Sequence, residues 1–78
     1  MALRRKPPRS FAVCVRNDGY EASLELRKLY PALPDRLGEE HGFIRIVDES
    51  GEDYLYPAKY FVRLDLPIAV ALKLRKIA

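Results

Sequence analysis

The sequence predicts a mostly-β protein, a small five-stranded barrel with a short C-terminal helix. Short β-branched and aromatic runs recur along it, FAVCVR, KLYPAL, GFIRIV, EDYLY and FVRLD, with turn-forming clusters such as NDG and DESG between them. Its 78 residues make one domain. A chain this short hides only about 60% of the surface its unfolded form exposes, so it has one thin core. Five short strands in such a chain leave bare edges unless the sheet closes on itself. The composition, 49% hydrophobic and 32% charged, is that of a folded protein.

Residues 1–10 have no apolar period and carry Pro7 and Pro8, which reads as an arm. Phe11–Arg16 is the first strand, closed by the turn signal Asn17-Asp18-Gly19. Residues 20–33 satisfy two patterns. Leu24 and Leu26 alternate as in a strand, whereas Leu26, Leu29, Tyr30 and Leu33 fit a helical face. Pro31 disfavours helical geometry at Tyr30, so the reading is a long loop feeding a strand at Lys28–Leu33. Pro34–Gly42 is a polar connector with room for one helical turn, which Gly42 is suited to end. In GFIRIVDE, Ile44 and Ile46 share one face and Arg45 takes the other. Asp48-Glu49-Ser50-Gly51 suits a type I turn followed by a left-handed glycine, so EDYLY returns as the hairpin partner and Pro57 stops it. Ala58–Tyr60 makes a single tight turn before the last strand, FVRLD. Pro67 fits the first position of a helix over 67–78, with Val70, Ala71, Leu74 and Ile77 on its apolar face. The division expected is an arm over 1–10, a barrel over 11–66 and a helix over 67–78.

The net charge of +3 is unevenly spread. Arg4, Arg5, Lys6 and Arg9 stand at one end, and Lys73, Arg75 and Lys76 at the other, with no acid among them. Residues 10–72 hold seven basic and eleven acidic side chains, a balance of −4. A nucleic-acid module carries its positive charge on the folded face that meets phosphate; here only the ends could do so. The single cysteine, Cys14, excludes an internal disulfide and points to a reducing compartment. MALRRKPPRS begins like a signal peptide, but the nearby apolar run FAVCV is too short for one, and no segment is long and apolar enough to span a membrane. A cytoplasmic protein is expected.

YPAKYFVRL, Tyr56 to Leu64, resembles the last corner of Src-homology-3 domains. In that family a hydrophobic residue and a proline precede one 3₁₀ turn, a tyrosine closes it, and an apolar residue opens the final strand. The resemblance makes Pro57 and Tyr60 the proline and tyrosine that help line the family's peptide groove, and Phe61 the core residue after them. The order of elements over residues 11–66 is similar as well. The chain has no tryptophan, whereas the family's groove tryptophan stands near the start of the third strand, where GFIRI lies here. The resemblance therefore implies the fold and not a proline-rich ligand. The whole chain is also similar to a group of short, uncharacterised bacterial proteins that share runs like NDGYEASLELRKLY and GEDYLYPAKYF. That likeness implies a bacterial cytosolic protein and no known activity.

Nothing in the sequence assembles a catalytic set. His41 stands in a connector and Cys14 in a strand, with no third group to orient them, so no catalytic residue is assigned. Asp48, Glu49, Glu52 and Asp53 cluster around Gly51, but their spacing is not that of a calcium loop, and they read as a hairpin tip kept soluble by charge. No metal or cofactor is expected. The tyrosines are the better signal, because a tyrosine joins a large apolar face to a polar tip. Tyr54 and Tyr56 share one strand face and so one expected fate, core or surface. Tyr60, at the corner, is the expected surface anchor. The function expected is a small non-enzymatic module that binds a protein or peptide through Tyr60, Pro57, Tyr56 and Tyr54. The alternative is a nucleic-acid-binding accessory protein with weak, salt-sensitive binding through Arg4, Arg5, Lys6, Arg9, Lys73, Arg75 and Lys76. A third reading is a homodimer formed through a sheet edge or the C-terminal helix.

Overall fold

The computed structural model describes residues 10–65 and, beyond them, Pro67, Ala69, Val70 and Lys73. Most of the helix expected over 67–78 lies outside the described residues, as do Arg4, Arg5, Lys6, Arg9, Arg75 and Lys76. Five strands form one antiparallel sheet: β1 Ser10–Cys14, β2 Leu29–Leu33, β3 Phe43–Val47, β4 Asp53–Pro57 and β5 Phe61–Asp65. A short helix, α1 (Arg36–Glu40), joins β2 to β3, and a 3₁₀ turn over Ala58–Tyr60 joins β4 to β5. The spatial order is β4-β3-β2-β1-β5.

The expected closure does not occur among the described residues. β4 and β5 are both terminal strands and no ladder joins them. The reason lies at the 3₁₀ turn, which sends the chain from β4 across to β1. There β5 pairs along its full length, from Cys14↔Phe61 to Ser10↔Asp65. The two open edges are five residues long, and β4 ends on Pro57, which has no N–H to offer a foreign strand.

β2 is divided between its neighbours. Leu29, Tyr30 and Pro31 face β1, while Ala32 and Leu33 face β3. The β3 ladder therefore begins one residue past Pro31, where the backbone recovers its donor. At the other end of the long loop, Cys14 opposes two residues. Its N–H donates to the Lys28 carbonyl at 2.9 Å and its carbonyl accepts from the Arg27 N–H at 2.7 Å. That is the count of a β-bulge, and Arg27 takes a left-handed φ of 64° there. β1 thus starts one residue before the expected Phe11 and ends two before the expected Arg16. The N–H groups of Val15 and Arg16 turn instead to the Tyr60 carbonyl.

Turn chemistry behaves as the sequence suggests. Gly51 has φ 84°, and its N–H donates to the Asp48 carbonyl at 3.0 Å, closing the β3–β4 hairpin. Asp35 caps α1 by accepting from the Gly38 N–H at 2.8 Å, and Gly42 leaves the helix with φ 83°. Pro57 does not stop β4 short, because it is the last paired residue, opposite Phe43.

The core is one cluster fed by alternate residues of the strands: Ala12 and Cys14, Tyr30 and Ala32, Ile44 and Ile46, and Tyr56. Leu24 from the long loop, and Tyr60 and Phe61 from the corner, complete it. Ile46 is fully enclosed at its centre, whereas Val62 of β5 is half exposed. Ile46→Ala should therefore cost ~2–5 kcal/mol, a large share of what a domain this size possesses. Val62→Ala should stay within ~0.5 kcal/mol of wild type. Urea midpoints of the two variants check this.

Candidate functional site

Three of the core residues are tyrosines, and each buried hydroxyl needs a hydrogen-bond partner. The partners all come from the rim. Tyr30 donates to Glu49 and accepts from the Glu25 N–H at 2.8 Å. Tyr56 donates to Asp48 Oδ2 at 2.6 Å, and its hydroxyl lies 3.0 Å from Ser23 Oγ. Tyr60 donates to the Asp18 carbonyl at 3.1 Å. Among the described residues no buried side-chain polar atom lacks a partner.

Of the four acids at the hairpin tip, Glu49, Glu52 and Asp53 are exposed as expected, and Asp48 departs from the reading of a solvated charge cluster. Asp48 is only 7% exposed. Its Oδ1 accepts from the Ser50 N–H at 2.9 Å and the Ser50 hydroxyl at 2.6 Å. Burial pushes its carboxyl up, but the donors from Ser50 and Tyr56 outweigh that and hold it below its ordinary value of 3.8. Glu49 pairs with Lys28 Nζ at 2.6 Å, and Lys28 and Tyr30 hold its carboxyl below 4.5. Burial, and then Asp48, push the Tyr56 hydroxyl above 10.0; burial and Glu49 do the same for Tyr30. Asp53 faces outward to Arg45 at 3.0 Å, and Arg45 also holds Asp35 at 2.8 Å.

Beside Asp48 lies an open hollow of about 450 Å³, lined by Tyr20, Ser23, Asp48, Ser50, Tyr54, Leu55 and Tyr56. The long loop supplies Tyr20 and Ser23, the hairpin tip Asp48 and Ser50, and β4 the rest. The Tyr20 ring meets Tyr56 edge to face at 5.0 Å and Tyr60 at 6.0 Å. Asn17 holds the loop in this shape, because its side chain donates to the Leu24 carbonyl at 3.0 Å and its own carbonyl accepts from the Tyr20 N–H at 2.8 Å.

The expected binding residues are therefore divided. Tyr54 and Tyr56 both line the hollow, but they do not share a fate: Tyr56 is buried and Tyr54 is 49% exposed. β4 is a terminal strand, so Tyr54 has a neighbour on one side only, opposite Ile46, while Tyr56 is also covered by Tyr20 and Phe61. Tyr60, the expected surface anchor, is 8% exposed, with the Arg16 guanidinium 5.1 Å from its ring centre. Pro57 is half-buried and, like Tyr60, stands outside the hollow. Lys73 is exposed. Tyr20, Ser23, Asp48, Ser50 and Leu55 line the hollow without standing among the expected binding residues. For Tyr20 the available signal is its position just after Asn17-Asp18-Gly19, a turn that precedes the loop.

Cys14 is fully buried, with its thiol against the Arg16 carbonyl and its pKa raised by burial. His41 closes α1, its Nδ1 2.8 Å from the Leu37 carbonyl. No helix among the described residues is long and apolar enough to cross a membrane.

Asp48 and Glu49 bind protons less readily folded than unfolded, so the stability they add is present above their ordinary pKa and is lost as pH falls below it. Asp48→Asn should flatten the fall in stability below pH ~4. Tyr30 and Tyr56 have raised values, so their contribution holds below pH ~10 and is lost above it. Tyr56→Phe should cost ~1–3 kcal/mol at neutral pH, since it removes a donor from a buried carboxylate. Urea unfolding across a pH series measures all three.

No family model, no curated protein and no solved structure matches the chain.

Proposed function

We propose that the chain is a small non-enzymatic interaction module that binds a protein or peptide through the hollow bounded by Tyr20, Tyr54 and Tyr56. The observation that carries this reading is Tyr54, a large aromatic left half exposed beside Tyr20, which is itself 38% exposed. Such a ring loses apolar exposure when a partner covers it, and its stiffness keeps the entropy of binding low. The hollow is open and shallow in outline, which suits a side chain presented by a partner better than an enclosed small molecule.

We also read the order of elements as Src-homology-3-like, with the sheet among the described residues open rather than closed into a barrel. The strand order, the long loop between β1 and β2 and the 3₁₀ corner AKY support that reading. The recognition face proposed is not that family's groove, since Pro57 and Tyr60 stand apart from the hollow.

The second reading, nucleic-acid binding through the basic ends, draws on the segregation of charge along the chain. Nuclease separates the two. The tagged full chain, used as bait in a bacterial lysate, should retain a discrete protein partner after nuclease treatment and in high salt, and Tyr54→Ala should release it. Tyr54 is the residue to change because the core does not depend on it. Capture that disappears with nuclease would move the function to the basic ends.

A further inference from the structure

The hollow has a charge as well as a shape. Asp48 lines it as a carboxylate whose donors, the Ser50 N–H and hydroxyl and the Tyr56 hydroxyl, are all neutral. They satisfy its lone pairs and leave its negative charge uncompensated. Among the described residues no cation pairs with it, and no Lys or Arg lines the hollow. Other cations are engaged elsewhere: Lys28 with Glu49, Arg45 with Asp35 and Asp53, and Arg16 with Asp18.

Around this charge stand three aromatic rings. A tyrosine face carries the negative side of the ring quadrupole, and Tyr20 and Tyr56 meet nearly at right angles, 83° between planes. Of the three, Tyr20 and Tyr54 are exposed, and with the Asp48 carboxylate among the same lining residues they attract a cation by ring quadrupole and by charge together. An uncharged or anionic group would gain neither.

The neighbouring backbone says what carries the cation. β4 is a terminal strand, so the N–H and C=O groups along its outer side have no strand partner among the described residues. Tyr54 and Tyr56 leave it on the same face, two residues apart. An extended peptide laid along that edge would place alternate side chains over the hollow.

We propose that the hollow takes the side chain of an arginine or lysine from a basic peptide segment of a partner, held against the exposed rings of Tyr20 and Tyr54 beside the Asp48 carboxylate. This rests on the reading of the hollow as a recognition face and names the chemistry of what it recognises.

The test is amide-resolved NMR of the full chain titrated with an alternating Gly-Arg peptide, with Gly-Glu and Gly-Ser peptides of equal length as comparisons. The expected result is a saturable shift of the Tyr20, Ser23, Ser50 and Tyr54 amides with the basic peptide alone. Asp48→Asn and Tyr54→Ala should each weaken it about tenfold. Because Asp48 also supports the fold, Tyr54→Ala is the variant that must show the loss with the rest of the spectrum unchanged. Equal response to the neutral or acidic peptide overturns the cation assignment and leaves the interaction face standing. Partner capture that depends on Tyr54, with no response to the basic peptide, does the same. Shifts scattered over Glu21, Glu25 and Glu52 overturn it as surface charge screening. A full response to methylguanidinium alone overturns the peptide as occupant. A change at the same amides when Arg4, Arg5, Lys6 and Arg9 are replaced by Gln, with no further response to peptide, gives the site to the chain's own arm and overturns the assignment to a partner.

Discussion

The fold depends on the bond between Tyr56 and Asp48. Tyr56 reaches the core from the last strand of a hairpin, and its hydroxyl must find an acceptor where the core meets the rim. Asp48 supplies it from the first residue of the hairpin's own turn. The same carboxylate fixes Ser50, so one group sets both the turn geometry and the depth to which Tyr56 can sink. Glu49, the next residue, bonds Tyr30 of β2, and its N–H donates to the Ser23 carbonyl in the long loop at 3.2 Å. The loop between β1 and β2 is thus tied down by polar bonds from a hairpin far from it in sequence. A chain of this size could not hold it with apolar area alone.

Building a core from tyrosine has a consequence for charge. Each ring brings apolar area into a small interior, but each hydroxyl needs an acceptor at the rim, a backbone carbonyl for Tyr60 and carboxylates for Tyr30 and Tyr56. A carboxylate is the strongest available, and burying one is costly unless donors surround it. Three donors surround Asp48, so its charge survives burial. The contrast with the outer face of β3 is instructive. There Arg45 bridges Asp35 and Asp53, so one cation serves two carboxylates, and Asp35 also caps a helix. The acids of that face have a charged partner, whereas Asp48 is held by neutral donors.

What was legible in the sequence was whatever local geometry decides. DESG fixes a type I turn with a left-handed glycine whatever it later packs against, and Gly42 after a polar turn behaves likewise. The strands follow from β-branched alternation, and their faces follow in turn: Ile44 and Ile46 point inward as their spacing requires. The misread features are those that two distant segments decide together. Tyr54 and Tyr56 are equivalent in sequence. They differ only because the long loop brings Tyr20 and Ser23 over one of them and β4 has no outer neighbour to cover the other. The corner position of Tyr60 predicts a surface residue, yet that corner is covered by Asp18 and Tyr20, both distant in the chain, the Tyr60–Asp18 bond spanning 42 residues. Burial of Asp48 was hidden for the same reason, since nothing in DESGED announces that Tyr56 will bond back to it.

The open sheet now reads differently from a defect in closure. A sheet that closed through β4 would seal the edge and bury Tyr54, and the hollow would become core. By turning at Ala58–Tyr60 and spending β5 on β1, the chain leaves β4 as a terminal strand directly beside its buried carboxylate. Lysine is a common guard on such edges, but the sole basic residue near this one in sequence, Lys59, lies in the turn beyond the strand. Protection comes instead from brevity and from Pro57, which limit how many backbone bonds a foreign strand could form. An edge guarded in that way resists long, indiscriminate pairing and still admits a short segment, whose affinity must then come from one well-placed side chain. In a domain too small for a deep pocket, the buried carboxylate of Asp48, held by neutral donors, lies among the residues that line the hollow beside that edge.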